Sequence, residues 1–486
     1  MLVLSQLSPQ AVWSYFEEIC KIPRPSKKEE KIRAFLLDFA RNHNLDAKHD
    51  TIGNVLISIP ATKGMEDRAT IILQSHMDMV CEKDGDLEFD FNTDPIRPQI
   101  DGEWVKATGT TLGADDGIGI AAQMAVLTDS TLAHGPIECL FTVDEETGLS
   151  GADALQPGFL KGNILLNLDS EDEGELFIGC AGGIDTIATM QYKRKSVPAR
   201  AHAYKITVRG LKGGHSGDDI NKGLGNSNKI LTRLLLQATH IGDIRLAHFD
   251  GGNLRNAIPR EASALITVPY EVEEAFLQLF EEYSKDVKDE LFITEPGLTL
   301  IAEKSALPEF VINRSAQRRL LNTLMACPHG VLAMSYRMPG MVETSTNLAS
   351  VKFIDDDTIM VTTSQRSDLN SAKFMAAMMV ESVFTLSEFE VTHSDGYPGW
   401  APNPNSQIMK LTAKVYKELF GNEPIVRSIH AGLECGLFLE KYPEMDMVSF
   451  GPTLRGVHSP DEKINIATVD KFWKLLVEVL RQAPKA

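Results

Sequence analysis

Ile71-Ile72-Leu73-Gln74-Ser75-His76-Met77-Asp78 is the stretch on which the reading of this chain turns. A short apolar run that ends in a histidine and a carboxylate suits a strand buried on both faces, with its polar residues at the carboxyl end of the sheet. In an extended segment residues two apart face the same side, so Asp78 stands beside His76 and can fix its tautomer as a ligand. A histidine satisfied by a backbone carbonyl has the same local signature. The pair therefore takes its meaning from the rest of the chain.

The pattern recurs. Glu145 and Glu146 follow the apolar run 137–143, Asp169 follows 164–168, and His458 lies in a turn-rich segment after 445–450. Asp115, in Leu112-Gly113-Ala114-Asp115-Asp116-Gly117, opens the helical pattern 118–127. A carboxylate there can offer one oxygen to each of two cations, or either aspartate can cap the helix. If the segment after 143 stays extended, Glu145 and Glu146 point apart, and one can ligate while the other faces water as a general base. An isolated Glu-Glu pair is otherwise a solvated surface feature. Together these clusters have the composition of a buried two-metal hydrolytic site. Nitrogen and oxygen donors without thiolate suit two divalent ions, Zn foremost, with Co and Mn as alternatives. No His-Glu-x-x-His occurs, which excludes the single-zinc protease helix.

The chain has 486 residues, 43% of them hydrophobic, more than one ordinary core accommodates. A net charge of -19 repels phosphate backbones and anionic lipid, so no nucleic-acid or membrane partner is expected. Six scattered cysteines without a CxxC pair read as reduced thiols and point to the cytoplasm. Neither an export leader nor an apolar run of bilayer length is apparent.

Ser8 is expected to cap a helix beginning at Pro9, and Thr468 to cap the last one. Between 187 and 397 the texture changes to longer alternating strands and two-sided helices. We read this as an inserted α+β domain in two related halves, 187–312 and 313–397. The first domain is then discontinuous, 1–186 and 398–486, and returns His458 to the residues of the first third. The fold class is α/β, with a mixed, mostly parallel sheet sandwiched by helices.

These segments resemble the metallopeptidase M20 family, in its Xaa-His dipeptidase, carnosinase-like branch. The resemblance is carried by Ser75-His76-Met77-Asp78, Asp144-Glu145-Glu146-Thr147-Gly148, Asn167-Leu168-Asp169-Ser170, Gly213-Gly214-His215-Ser216-Gly217 and His430-Ala431-Gly432-Leu433-Glu434. It implies that His76, Asp115 and Asp169 hold one metal and Asp115, Glu146 and His458 the other, with Asp78 orienting His76 and Glu145 as general base. It implies a catalytic domain and an enlarged inserted lid. His215 would meet the oxyanion, while Asn256, Arg366 and Glu434 are further candidates for substrate contact. For Arg366 a surface ion pair on a strand edge is the competing reading.

The expected activity is hydrolysis of dipeptides, Xaa-His and β-alanyl-histidine among them, by a cytoplasmic enzyme for which a homodimer is compatible. An amidohydrolase of N-acyl amino acids is the neighbouring enzyme class. A peptide-binding protein without turnover is the non-enzymatic alternative, disfavoured by the complete ligand set.

Overall fold

The computed structural model describes residues 3–486 and divides into two compact units. The first comprises the described residues up to 179, 402–428 and 433–486; the second comprises 180–401 with the short return 429–432.

The first unit is built on an eight-stranded sheet in the order Asp46–His49, Val55–Ile59, Ile137–Thr142, Ile71–His76, Ile164–Asn167, Asp446–Ser449, Glu175–Cys180, Ile425–Ile429. Its four central strands, from Ile137–Thr142 to Asp446–Ser449, are parallel neighbours. The flanking pairings to Val55–Ile59 and Glu175–Cys180 are antiparallel. Every residue of Ile71–His76, Ile137–Thr142 and Ile164–Asn167 is buried. Because alternate side chains point to opposite faces, that pattern requires both faces of the sheet to be covered. Helices supply the cover. Ala114–Thr128 packs on Ile71–His76 and against Gln10–Ile19, while Gln407–Phe420 packs on Asp446–Ser449 and against Ile466–Arg481.

Two caps differ from expectation. The first helix runs Gln10–Ile19, with Pro9 outside it, and Ser8 Oγ bonds Asp470 instead of a helix N–H. The last helix, Ile466–Arg481, is capped by Asn465, whose Oδ1 accepts the Thr468 N–H at 3.2 Å. Thr468 lies in the first turn and its hydroxyl returns to the Asn465 carbonyl. Asn is the stronger capping residue of the two, in line with the position the helix start takes.

The second unit holds a sheet ordered Thr299–Ser305, Ala201–Arg209, Ala262–Pro269, Arg245–Gly251, Val342–Phe353, Thr358–Ser367, Gly182–Gln191, Glu390–His393, with Gly330–Met334 beside Val342–Phe353. The order resolves into two mirrored βαββαβ arrays. One is continuous, from Ala201–Arg209 to Thr299–Ser305. The other begins with Gly182–Gln191, is interrupted by the whole first array, and resumes at helix Arg314–Ala326. The division therefore differs from one at 187 and 313. Residue 187 falls inside a strand of ten residues, and that strand pairs with Thr358–Ser367 along its whole length.

The arrays meet at a single registered pair, Gly251 with Val351, and through helices Ser227–Ala238 and Arg314–Ala326 packed together. Lys229 ties them further, its ammonium donating to the carbonyls of Leu324 (2.7 Å) and Met325 (3.0 Å) at the end of the facing helix. Gly252 at this seam has φ +68°, and a Cβ there would strike the Ala349 carbonyl. Gly252→Ala should destabilise the chain by about 2–4 kcal/mol, the left-handed penalty plus local overpacking. Denaturant unfolding indistinguishable from the unmodified chain would show the seam to be loose.

Candidate metal centre

Three parallel strands end side by side at one edge of the first sheet. Ile71–His76 delivers His76 and Asp78, Ile137–Thr142 delivers Glu145 and Glu146, and Ile164–Asn167 delivers Asp169. His76 Nε2 lies 3.0 Å from Asp115 Oδ1 and 3.3 Å from Asp169 Oδ1. The other oxygen of Asp115 lies 3.1 Å from His458 Nε2, which is 3.0 Å from Glu146 Oε2. Two donor groups result, His76 with Asp115 and Asp169, and Asp115 with Glu146 and His458; Glu145 joins a third with His76 and Glu146.

The donors fit metal ions. A tetrahedral ion bound at roughly 2.0–2.1 Å places its ligand atoms about 3.3 Å apart, close to the separations found. Glu146 Oε1 is buried without a hydrogen-bond partner, an orphan that a cation would satisfy. Asp115, shared between the groups, has the geometry of a bridging carboxylate.

Glu145 and Glu146 are not extended. They open a four-residue helix, Glu145–Gly148, entered through Asp144 at φ 51°. Asp78 explains the turn: its Oδ1 accepts the Glu145 N–H at 3.0 Å, and its Oδ2 accepts the Glu146 N–H at 3.1 Å and the Ser26 hydroxyl at 2.8 Å. The same carboxylate is 3.4 Å from His76 Nδ1. One side chain thus stands beside the histidine and grips the start of the helix that carries both glutamates. Asp116 takes the capping role, with Oδ1 accepting the Gly119 N–H at 3.1 Å, and leaves Asp115 to the cluster.

Two residues that frame the site carry no motif. Glu462, 2% exposed, accepts the backbone N–H groups of Leu112, Gly113 and Ala114 at 2.7, 3.0 and 2.7 Å. Buried Arg24 donates to the carbonyls of Met77, Asp78 and Gly113, joining the ends of the His76 and Asp115 segments. Their nearest signals were a glutamate four residues past His458 and an arginine between Pro23 and Pro25. Glu434 is fully buried; its Oε2 accepts from Gln74 (2.6 Å) and Thr142 (2.7 Å), and its Oε1 has no partner.

His215, Asn256 and Arg366 belong to the second unit. His215 and Asn256 line a cleft of about 770 Å³ there. His215 Nδ1 accepts the N–H groups of Gly217 and Asp218, at 3.3 and 3.2 Å, which leaves the proton of a neutral ring on Nε2. Burial and then the Arg366 cation hold the ring's pKa down, in favour of that neutral form. Arg366 is not at a strand edge: it is 7% exposed on a strand paired on both sides, and its guanidinium donates to Ser216 Oγ (3.3 Å) and Tyr397 OH (3.0 Å). The surface ion-pair reading fails because the guanidinium is buried among neutral groups.

Residues 72–482 match the profile of peptidase family M20/M25/M40. The chain belongs to the M20 peptidase family. It is 45% identical over 484 residues to the cytosol non-specific dipeptidase of Escherichia coli, with 100% of each chain covered. It is also 45% identical to the aminoacylhistidine dipeptidase of Vibrio alginolyticus, whose crystal structure superposes with a TM-score of 0.92 over 99% of this chain and 98% of that one. The aminopeptidase PepT of Bacillus cereus shares the fold, with 16% identity and a TM-score of 0.57 over 98% of this chain and 99% of that one.

In this M20 metallopeptidase, the crowding of the donor groups shifts their affinities for protons. Hydrogen bonds to Asp115 and Glu146 push His458 up to about 11. Burial opposes the charge on His76, yet Asp169 and its other carboxylate neighbours raise it well above the imidazole range. Burial pushes Asp169 up to about 7. A ligand must shed its proton to bind, so metal binding should weaken as pH falls through 7. Binding of Zn to the stripped protein at pH 7 should release about one proton or more per ion, visible as a calorimetric heat that depends on buffer ionisation. His458→Ala should reduce both metal occupancy and that release. A buffer-independent heat would contradict the ligand set.

Glu462→Ala should cost about 3 kcal/mol or more, because three buried N–H groups lose their acceptor, and should lower metal content by loosening Asp115. Unchanged stability and occupancy would remove Glu462 from the frame.

Proposed function

We propose that this peptidase is a cytoplasmic dipeptidase that hydrolyses the single peptide bond of short peptides, with Xaa-His and β-alanyl-histidine among its substrates. The observation that carries the reading is Asp115, with one oxygen beside each of two histidines and a glutamate at hand in the same cluster. The names of the E. coli and Vibrio relatives support dipeptides as the substrate class, and the cytosol in the former supports the location.

His76, Asp115 and Asp169 would hold one divalent ion and Asp115, Glu146 and His458 the other, with Zn favoured and Co or Mn compatible. Bound there, the ions would supply Lewis acidity toward the scissile carbonyl and toward water. Glu145 takes the proton of the attacking water and returns it to the leaving amine. Burial raises its pKa well above that of an ordinary glutamate, which strengthens it as a base and lets it hold the proton between the two steps. Asp78 keeps that carboxylate in place through the helix N-terminus it grips.

The second unit would act as a lid. His215 would donate from Nε2 to the carbonyl oxygen as charge develops there. Arg366 would take the terminal carboxylate through its planar fork, with Asn256 as a further polar contact. Glu434 would meet the amino end of the substrate through its unpaired Oε1.

The test is a panel of β-alanyl-histidine, α-dipeptides, a tripeptide and an N-acetyl amino acid, with metal stripped and then Zn, Co or Mn restored. Metal-dependent cleavage confined to dipeptides is expected. Cleavage of the N-acetyl compound alone would move the protein to the amidohydrolases. Glu145→Gln should retain its metal and lose roughly 10²-fold or more in turnover. Near-normal turnover would exclude Glu145 as the base.

A further inference from the structure

A cavity of about 480 Å³ opens in the second unit between the end of helix Ser227–Ala238 and the start of helix Arg314–Ala326. Its volume falls in the range of small-molecule sites, roughly 300–1,000 Å³. It shares no lining residue with the cleft of His215 and Asn256. Three guanidinium groups line it, those of Arg245, Arg314 and Arg318. One carboxylate answers them: Asp243, whose Oδ1 is 2.9 Å from Arg314 Nε and 3.8 Å from Arg245 Nε. Arg318 makes no ion pair among the described residues. Three cations against one anion leave the wall with an excess of two positive charges, in a chain whose net charge is -19.

Arg245 is fixed in place before any ligand arrives. It is 7% exposed, its Nη2 donates to the Ile312 carbonyl, and its Nε donates to Gln317 Oε1 at 3.4 Å. Gln317 is itself held, donating to the Ile244 carbonyl and accepting the Leu246 N–H, both at 2.9 Å. The two bonds from Arg245 use two of the five N–H groups of a guanidinium. Burial lowers its pKa, the mark of a cation short of charge compensation. The other two arginines stand one turn apart at the start of helix Arg314–Ala326, where the helix dipole disfavours cations. That start has no side-chain cap, because Asn313 Oδ1 accepts the Lys193 N–H (2.8 Å) instead. Ser315 of the same turn lines the cavity, and Leu236, Ile244 and Leu321 form an apolar part of the wall.

We propose that this cavity binds a small molecule that carries a phosphate group on an apolar body. Guanidinium forks pair with phosphate oxygens two at a time, and a phosphate monoester offers three such oxygens with a charge of roughly -2, which matches the excess on the wall. A carboxylate offers two oxygens and a single charge. The apolar part of the wall suits the body that carries the phosphate. Arg245 belongs to the first βαββαβ array and Arg314 and Arg318 to the second, so an occupant bridges the seam between them. Binding to the folded chain alone then stabilises it. The inference is independent of the metal centre and of the substrate assignment.

Calorimetric titration of the metal-loaded protein at constant ionic strength tests it, with phenyl phosphate, inorganic phosphate and benzoate as probes. Phenyl phosphate should bind saturably and raise the melting temperature, inorganic phosphate should displace it, and benzoate should bind at least ~10-fold more weakly. Arg318→Ser should weaken phenyl phosphate binding at least ~10-fold, and Arg314→Ser/Arg318→Ser should abolish the rise in melting temperature. Both side chains are exposed, so the variants should fold and cleave dipeptides as the unmodified chain does. Phosphate can also meet metal ions, and binding that is the same in both variants belongs there and overturns the proposal. Benzoate that binds as tightly as phenyl phosphate overturns it as well, and so does a failure of both phosphates to bind at millimolar concentration.

Discussion

Asp115 stands between two histidines that lie 39 and 343 positions away in the chain, with one carboxylate oxygen for each. Much else in the first unit exists to keep that arrangement from flying apart. Burial alone would drive the proton back onto Asp115, and it is the hydrogen bonds from His458 and His76 that hold its pKa below the usual carboxylate range. The price of such a cluster is electrostatic. Asp116, Asp169 and Glu145 are all raised by burial, because a carboxylate out of water is costly to leave charged.

The scaffold answers that demand with backbone dipoles and buried hydrogen bonds. Parallel strands bring several chain segments to one edge, because their carboxyl ends share a side of the sheet. Glu462 gathers three N–H groups of the Asp115 turn, and Arg24 gathers carbonyls from that turn and from the end of the His76 strand. Asp78 does the same for the helix that carries Glu145 and Glu146. These three side chains touch backbone, and their effect on the donor atoms is one of position. Gly113 marks how close the packing is, since a Cβ there would meet the Arg24 guanidinium and the Met79 sulfur.

The second unit follows a different economy. Two βαββαβ arrays share one sheet, yet a single registered residue pair joins the strands between them, with helix packing and the Lys229 ammonium completing the seam. Within it, Arg366 is placed by Ser216 and Tyr397, and the Tyr397 ring lies where side chains at Gly183 and Gly432 would stand. His215 has its tautomer set by the two N–H groups that follow it. Uncharged groups thus place Arg366 and set the His215 tautomer, in contrast to the carboxylate-rich centre of the first unit.

The sequence by itself determined the alternation of buried strand and polar terminus, the donor residues at those termini, the family, and the presence of an α+β insert. Those features are local: a run of buried residues and the side chain that follows it are written consecutively. Tertiary structure decided what depends on distant partners. It bent Glu145 and Glu146 into a helix because Asp78 captures their N–H groups. It also gave Gly182–Gln191 to the array that resumes more than a hundred residues later, because strand pairing depends on edges that meet in space. Arg24 and Glu462 had no legible motif, since a side chain that binds backbone atoms places no constraint on the identity of the residues it holds.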